Sequence, residues 1–287
     1  MHYKKVKTIL SSSNGINIFR GCTHGCIYCD SRSSCYQINH DFEDVEVKEN
    51  ALDLLEKELL RKREKCMIGT GSMCDPYCHI ETKIQYTRKV LELIDKYNFG
   101  IAIQTKSARI LRDLDLLKRI NQKSKAVVQM TLTTADEELC KILEPNVSTT
   151  KERVDALKIF AQNNIPTIVW LCPFLPFIND EEENLRKLLS YCVEAKVKGI
   201  IFFGFGLTLR EGNREYFYKK LDEYFPSLKK KYMNMYGDKY EINSPNASKL
   251  YQILLEECHK HNIILDNEVL FSYMREYPKK YEKISLF

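Results

Sequence analysis

The sequence predicts an α/β fold in which six strand–helix units build a parallel sheet and a helical extension follows. Short apolar, β-rich runs alternate with longer amphipathic helical patterns up to about residue 206, and the alternation then stops. Alternation of this kind is typical of βαβ units and a parallel sheet. Six units are too few for a closed eight-stranded barrel. They fit a partial (β/α)6, TIM-like barrel.

The predicted elements follow one another along the chain without a long linker. The strands are expected at 16–20, 67–72, 100–105, 126–131, 165–171 and 199–203. The helices between them are expected at 47–65, 83–97, 108–121, 136–143, 150–163 and 181–195, where apolar residues recur at helical spacing. Three more helices are expected at 213–236, 246–261 and 268–282. The chain thus divides into a barrel core, 1–206, and a helical extension, 207–287, which at roughly 80 residues is expected to pack on the barrel rather than fold alone.

Composition favours an ordinary globular protein in a reducing compartment. Of the 287 residues, 44% are hydrophobic and 29% are charged, values typical of soluble domains. The sequence contains no apolar run near the ~20 residues of a membrane span, and its first ten residues lack the apolar region of a signal peptide. We therefore expect a cytoplasmic protein without membrane association. The eleven cysteines are then expected to be free thiols or metal ligands, and the net charge of +5 permits contact with nucleic acid without requiring it.

The most specific signal is a C-x3-C-x2-C triplet formed by Cys22, Cys26 and Cys29. A 4Fe–4S cluster normally takes four cysteine ligands, so three closely spaced thiolates leave one iron open to another ligand. The alternatives are a zinc site or a structural thiol cluster. A zinc site usually takes four ligands in two pairs, and the sequence has no second pair of matching spacing.

The position of this triplet agrees with the predicted fold. Active sites of α/β barrels lie at the carboxyl ends of the strands, and the triplet directly follows the first predicted strand. Polar residues of one parity also mark the ends of the next three strands, namely Thr70, Ser72 and Cys74, then Gln104 and Lys106, then Gln129, Thr131 and Thr133. Because strand side chains alternate between faces, these groups are expected to face the barrel lumen. The alternative is that they face helices or water.

The triplet, with the aromatic Tyr28 before its last cysteine, resembles the signature of the radical S-adenosylmethionine (SAM) superfamily. Further runs resemble its spore photoproduct lyase-like branch, also called DNA repair photolyase-like: GTGSMCDPY at 69–77, TKS at 105–107, LRDLDLL at 111–117, LEP at 143–145, and the prolines and Asn-Asp of 173–180. The resemblance covers about residues 17–180. It implies a barrel of the radical SAM type, a 4Fe–4S cluster on Cys22, Cys26 and Cys29, and SAM on the open iron. It further implies reductive cleavage of SAM to a 5′-deoxyadenosyl radical, with an external one-electron reductant of the flavodoxin or ferredoxin type.

The resemblance also implies contacts to the methionine end of SAM. The glycine-rich strand end with Ser72 and Asp75 takes the place of the motif that binds the amino group. Lys106 matches a lysine that lies close to SAM in this branch, where it is expected to pair with the carboxylate.

Three other positions are expected near the cofactor. Tyr28 matches an aromatic residue that packs near the adenine, and Thr131 matches a small hydroxyl position near SAM. Arg153 could reach the SAM carboxylate from the next helix; the alternative is a solvated surface arginine.

The sequence departs from the branch at two positions. Asp30 follows the third cysteine, where the branch usually has tyrosine. In the lyase, a cysteine in the second-strand motif returns a hydrogen atom to the product radical, and that position aligns with Ser72 here. A serine O–H is a much poorer hydrogen-atom donor than a thiol, so Cys74, two residues on, is the candidate for this catalytic role.

The leading interpretation is an enzyme that cleaves SAM to start hydrogen abstraction on a macromolecule, as a lyase or a modifying enzyme. A nucleic-acid substrate is favoured by the branch resemblance and the positive charge, and a peptide or protein substrate is the second enzymatic version. The alternative from another class is a non-catalytic iron–sulfur scaffold or redox sensor. The polar residues Ser72, Asp75 and Lys106 argue against it, because a scaffold would not need them.

Overall fold

The chain folds around a six-stranded parallel sheet in a computed structural model that describes residues 1–71 and 73–278. The strands are β1 (His2–Lys4), β2 (Gly15–Ile16), β3 (Phe19–Arg20), β4 (Glu46–Lys48), β5 (Met67–Thr70), β6 (Gly100–Thr105), β7 (Ala126–Thr131), β8 (Thr167–Trp170), β9 (Gly199–Ile201), β10 (Gly206–Thr208) and β11 (Glu241–Asn243). The α-helices are α1 (Ala51–Arg61), α2 (Glu81–Ile84), α3 (Tyr86–Lys96), α4 (Leu114–Lys123), α5 (Glu137–Leu143), α6 (Thr150–Gln162), α7 (Glu182–Glu194), α8 (Asn213–Tyr224), α9 (Leu228–Tyr236), α10 (Ala247–Lys260) and α11 (Asn267–Arg275). Short 3-10 helices cover Asp30–Arg32, Ser34–Tyr36 and Ala108–Asp113.

The main sheet has the order β2-β5-β6-β7-β8-β9, and every neighbouring pair is parallel. Each strand therefore lies beside the next one in the chain, as successive βαβ units require. The order runs in one direction from β2 to β9, which is the arrangement of an open, partial barrel. This confirms the predicted α/β class. Strands β6 and β7 have the predicted bounds, and β5, β8 and β9 are shorter than predicted.

Burial of the strands explains why their sequences are apolar runs. All six residues of β7 are buried. Helices cover the outer face of the parallel sheet, and its inner face is enclosed within the barrel. Helices α3 and α4 bury one apolar stripe each, which includes Leu91 and Ile94 on α3 and Leu117 and Ile120 on α4. Among the described residues, no helix is both long and apolar enough to cross a bilayer.

The predicted strand at 16–20 is two short strands in different sheets. Strand β2 belongs to the main sheet, whereas β3 joins a second sheet of order β1-β4-β3. Strand β4 occupies the beginning of the helix predicted at 47–65, so that prediction was wrong there. Val45 and Val47 are fully buried. In the sequence they alternate with the charged Glu46 and Lys48, and this apolar–charged alternation is the strand signal that the helical assignment overlooked.

Two other predicted helices are interrupted. The helix predicted at 83–97 is divided into α2 and α3 by Gln85, which has a positive φ of 52°. The helix predicted at 108–121 begins as the 3-10 helix Ala108–Asp113 and continues as α4.

The extension contains helices, as predicted, together with an antiparallel strand pair, β10–β11, that was not predicted. The helix predicted at 213–236 is divided into α8 and α9 around Pro226, because proline lacks an N–H and disfavours helical geometry in the preceding residue. The helix predicted at 268–282 is α11 as far as Arg275, and residues 279–287 lie outside the described part of the chain.

The extension buries its apolar faces against two parts of the core. Leu250 and Leu254 of α10 belong to the hydrophobic cluster that contains the sheet. Phe217 of α8 and Tyr232 of α9 share a second cluster with Cys26 of the cysteine triplet. The extension is therefore packed both on the barrel and over the cysteine loop, which we define as residues 21–29.

The packing of α10 gives a stability prediction. Leu254 is fully buried, and the next residue, Leu255, is 37% exposed. Leu254→Ala should lower the free energy of unfolding by about 2–5 kcal/mol, because truncation of a buried leucine loses its burial and leaves a cavity. Leu255→Ala is the matched control and should cost less than about 1 kcal/mol. Urea denaturation followed by circular dichroism measures both, and equal effects would contradict the packing of α10 on the core.

Candidate functional site

A cavity of about 430 Å³ lies at the carboxyl ends of the central strands. Its walls include residues that follow or end β5 to β8, among them Gly71, Lys106, Thr131 and Cys172. The cysteine loop forms another wall, through Cys22, Cys26 and Cys29. The triplet predicted to bind metal and the polar strand ends thus face one space, as the barrel geometry requires.

Two glycines allow the backbone of the cysteine loop to turn. Gly21 and Gly25 have φ angles of 80° and 72°, which lie in the left-handed region that other residues rarely adopt. A Cβ atom on Gly21 would lie 2.5 Å from the carbonyl oxygen of Phe42. The same oxygen accepts a hydrogen bond of 2.9 Å from the Cys22 N–H. The first cysteine is therefore fixed by its backbone to the segment around Phe42.

The LEP motif and the asparagine after it hold the other side of the loop. The Ile27 N–H donates to the Leu143 carbonyl oxygen at 3.0 Å, and the Asn146 N–H donates to the His24 carbonyl oxygen at 3.1 Å. The Asn146 side chain also donates to the Thr23 carbonyl oxygen at 3.1 Å. These bonds satisfy backbone groups that a loop would otherwise leave to water, and they fix the loop to the connection between β7 and α6.

A buried ion pair lies behind this contact. Glu144 accepts hydrogen bonds from the Tyr28 hydroxyl and the Arg153 guanidinium, and Arg153 donates to the Thr131 carbonyl oxygen at 2.7 Å. Burial opposes ionisation of Glu144, but the charges of Arg153 and Lys106 outweigh it and lower the pKa of this carboxyl. The network joins the cysteine loop, the end of β7 and helix α6.

This network corrects the expectation for Arg153. Its side chain is fully buried and paired with Glu144, and Arg153 is not among the residues that line the cavity. It is therefore placed neither to reach a ligand carboxylate nor at the surface. The physical reason is that the buried Glu144 needs a cationic partner, and Arg153 supplies it from α6.

Asp75 lines the cavity and connects three segments. Its Oδ1 atom accepts hydrogen bonds from the Thr105 hydroxyl at 2.6 Å and from the Tyr77 N–H at 2.8 Å. Its Oδ2 atom accepts from the Lys106 N–H at 2.6 Å and lies 3.5 Å from Nδ1 of His24. The carboxylate thus ties the loop after β5 to the end of β6 and to the cysteine loop. Burial opposes a charge on His24, but the negative charges of Asp75 and Cys22 outweigh it and raise the pKa of this imidazole.

Lys106 contributes a cation to the cavity. Its Nζ atom lies 5.9 Å from the centroid of the Tyr28 ring, and among the described residues it has no hydrogen-bond or ion-pair partner. Burial disfavours its charge, but the nearby Glu144 and Cys26 outweigh burial and raise the pKa of Lys106. An anionic group in the cavity could therefore pair with this ammonium.

Cys74 lies beside the cysteine triplet on the cavity wall. It is buried and lines the cavity, and it neighbours both Cys22 and Cys78. A hydrogen bond from Cys74 holds the pKa of the Cys22 thiol well below its usual range. Burial instead raises the pKa of the Cys26 and Cys29 thiols. Ser72, the other second-strand residue expected near the cofactor, lies outside the described residues.

Sequence reasoning missed the aromatic side of the cavity. Trp170 and Phe203 line it, with ring centroids 5.8 Å apart, and Phe203 is 63% exposed. The indole N–H of Trp170 donates to Gln129 at 2.8 Å, so Gln129 is occupied by this bond and is not a lining residue. Trp170 lies near the end of the strand predicted at 165–171, and this position could have indicated that it lines the cavity.

The β10–β11 pair forms a further wall through residues that include Thr208 and Asn243. No short-range pattern reveals this pair, because its two strands are separated in the chain by α8 and α9.

Comparisons with known proteins agree with this architecture. Residues 16–189 match the model of the Radical SAM superfamily. Over 229 residues the chain is 29% identical to an uncharacterized protein of Mycobacterium tuberculosis, an alignment that covers 77% of this chain and 66% of the relative. The chain therefore spans slightly less than two thirds of the length of that relative.

Two solved structures are similar in fold. Spore photoproduct lyase complexed with dinucleoside spore photoproduct superposes with a TM-score of 0.63 at 15% identity, covering 90% of this chain and 78% of the lyase. The radical SAM methyltransferase TsrM of Kitasatospora setae, solved with cobalamin and a [4Fe-4S] cluster, gives a TM-score of 0.60 at 13% identity, covering 91% of this chain and 56% of the methyltransferase. Because the family model matches more than half of the sequence and the cysteine triplet opens onto a cavity at the strand ends, the chain belongs to the radical SAM superfamily of enzymes, whose members bind a 4Fe–4S cluster and SAM.

Proposed function

We propose that this protein is a radical SAM enzyme that holds a 4Fe–4S cluster on Cys22, Cys26 and Cys29 and starts hydrogen abstraction from a substrate in the same cavity. The observation that carries the proposal is that all three cysteines line a cavity that Lys106 also lines, and that the ammonium of Lys106 has no hydrogen-bond or ion-pair partner in the described part of the chain. With an electron from a flavodoxin- or ferredoxin-type partner, the cluster would reductively cleave SAM to a 5′-deoxyadenosyl radical.

The residues present fit these cofactors. Cys26 is a buried thiol and Cys29 a half-buried one, and burial raises the pKa of both. Iron ions are partners that stabilise such thiolates. Three cysteines leave one iron for another ligand. A volume of about 430 Å³ falls in the range that holds small-molecule cofactors.

Side chains around the cavity would orient SAM. Lys106 is suited to the carboxylate by its charge, and the ring of Tyr28, held by Glu144, offers an apolar surface for the adenine. Thr131 lines the same space and would contribute a small polar contact.

Asp75 is proposed for the SAM amino group. A carboxylate offers about four acceptor sites, so Oδ2, which accepts one hydrogen bond from the Lys106 N–H, retains capacity for an ammonium. Ser72 is proposed for the same end of the cofactor on the resemblance alone. Arg153 has a positioning role instead, because it holds Glu144.

Cys74 is proposed as the thiol that returns a hydrogen atom to a substrate radical. It is a cavity-lining cysteine on the loop after β5. Cys74→Ala should keep the cluster and SAM cleavage, and should lose product formation where the reaction ends with a returned hydrogen atom. Product formation at the wild-type rate would remove this role.

The proposed substrate is a nucleic acid. Support comes from the exposed Phe203 beside Trp170 at the cavity, because aromatic faces stack on nucleobases, and from the net charge of +5. The fold likeness to a lyase solved with a dinucleoside photoproduct agrees with this choice. We assign substrate selection to the extension, 207–287, whose β10–β11 pair contributes one wall.

The first test concerns the cluster. Cys22→Ala, Cys26→Ala and Cys29→Ala should each lose most of the about four iron atoms that the wild type holds after anaerobic reconstitution, because each removes a ligand. Iron and sulfide analysis, with electron paramagnetic resonance before and after SAM addition, measures this. Cys74→Ala is the matched control and should retain the cluster. A full, SAM-responsive cluster in Cys22→Ala would refute the ligand set, and a cluster signal indifferent to SAM would favour a scaffold or sensor.

The second test concerns Lys106. Lys106→Ala should weaken SAM binding about 10- to 150-fold, because a hydrogen bond to a charged group contributes about 1.5–3 kcal/mol. Equilibrium dialysis gives the affinity, and 5′-deoxyadenosine release gives the cleavage rate. Lys118→Ala, at an exposed lysine of α4, is the control. Wild-type affinity and rate in Lys106→Ala would exclude this contact.

The third test concerns the substrate. Phe203→Ala should weaken binding of a single-stranded oligonucleotide by about 1–3 kcal/mol if a base stacks on this ring, and wild-type binding should fall as salt rises. Fluorescence anisotropy over a salt series measures both. Tyr224→Ala, at an exposed aromatic residue of α8, is the matched control. Absent binding, or binding that is insensitive to salt and to Phe203→Ala, would count against a nucleic-acid substrate.

A further inference from the structure

A cluster of potential metal ligands lies in the three-stranded sheet region, apart from the catalytic cavity. His2, His40 and Asp44 each offer one ligand atom, and these atoms all lie within 4.8 Å of one another. The two imidazole rings are 4.7 Å apart and nearly perpendicular, at 82°. None of the three residues lines the cavity.

His40 is oriented as a metal ligand would be. Its Nδ1 atom lies 2.9 Å from the Asp41 carbonyl oxygen, and because a carbonyl only accepts, Nδ1 carries the proton. Its Nε2 atom is then a free acceptor, which is buried and has no partner in the part of the chain that the structure describes. Metal-binding histidines usually donate a hydrogen bond from the N–H of the other ring nitrogen to a carbonyl or carboxylate in this manner.

The carboxylates beside the two histidines favour a cation. Asp44 Oδ2 lies 2.9 Å from His2 Nδ1, and Asp44 Oδ1 lies 2.7 Å from the amino group of Met1. His2 Nε2 lies 3.8 Å from Glu46, which Lys4 also approaches at 3.1 Å. The cluster therefore offers two imidazole rings and one carboxylate as ligands, with a second carboxylate nearby.

We propose that His2, His40 and Asp44 bind a divalent transition-metal ion of the class that prefers imidazole and carboxylate ligands, with zinc as the probe. In a tetrahedral zinc site, bond lengths of about 2.0–2.1 Å place the ligand atoms about 3.4 Å apart. The ligand atoms now lie within 4.8 Å of one another. Rotation of the half-buried His2 and Asp44 side chains can bring them to the shorter separation. Water would fill the fourth position.

The location gives the ion a structural consequence. Phe42 lies between His40 and Asp44 in the chain, and its carbonyl oxygen holds the Cys22 N–H. An ion would join His2 on β1 to His40 and Asp44, which lie two residues before and after Phe42. It would therefore fix the segment that holds the start of the cysteine loop.

The test uses the full chain without a histidine tag, with iron and sulfide reconstituted, then cleared of loosely bound metal by chelator and desalting. Titration with zinc chloride, read by a competing chelating dye, should give one zinc per chain. His40→Ala and Asp44→Asn should each weaken zinc binding by about tenfold or more, as the loss of a metal-site residue does. His259→Ala, at an exposed histidine of α10, is the matched control and should bind as the wild type. Thermal melts without zinc establish that the variants are folded.

X-ray absorption at the zinc edge separates this site from zinc on the cysteine loop. Nitrogen and oxygen ligands lie at about 2.0–2.2 Å and sulfur at about 2.3 Å. A nitrogen- and oxygen-only shell that disappears in His40→Ala supports the proposal. A sulfur shell, an affinity unchanged in both His40→Ala and Asp44→Asn, or absence of zinc binding would each overturn it.

Discussion

The buried pair of Glu144 and Arg153 is the interaction on which the site depends. It connects helix α6 to the end of β7 through Thr131, and it reaches the cysteine loop through Tyr28. Breaking such a pair is costly, about 3–5 kcal/mol, because the remaining charge stays buried. The pair also sets the electrostatics of the cavity, since the charge of Glu144 favours the ammonium of Lys106. The Glu144 carboxylate thus helps to fix the cysteine loop through Tyr28 and also stabilises the charged form of Lys106.

The cavity has two sides of different origin. Strands of the parallel sheet and the cysteine loop contribute Lys106, Thr131 and the three thiols, which are the groups suited to cofactors. Trp170 at the end of β8, Phe203 after β9 and the β10–β11 pair contribute the other side. Under the proposed function, the groups that hold the cofactors all come from the barrel core, and the extension adds the wall formed with the β10–β11 pair.

Local patterns predicted much of this molecule. Strands β6 and β7 were predicted with their observed bounds, because buried parallel strands are apolar runs between clear helices. Lys106 and Thr131 were expected on the lumen side and line the cavity. Arg153 was misplaced because sequence alone does not reveal that Glu144, nine residues earlier, is buried and needs a cation. The β10–β11 pair was missed because long-range pairing leaves little local signal, and β4 was missed because a short alternating run preceded a strong helical pattern.

The shared packing of the extension and the cysteine loop has a consequence for handling the protein. Phe217 and Tyr232 share a hydrophobic cluster with Cys26 and Ile27, so α8 and α9 pack on the loop that is proposed to hold the cluster. A cubane held there would be shielded from dioxygen only while those helices remain packed. Loosening the extension would therefore appear first as faster bleaching of the cluster in air, before any loss of the parallel sheet.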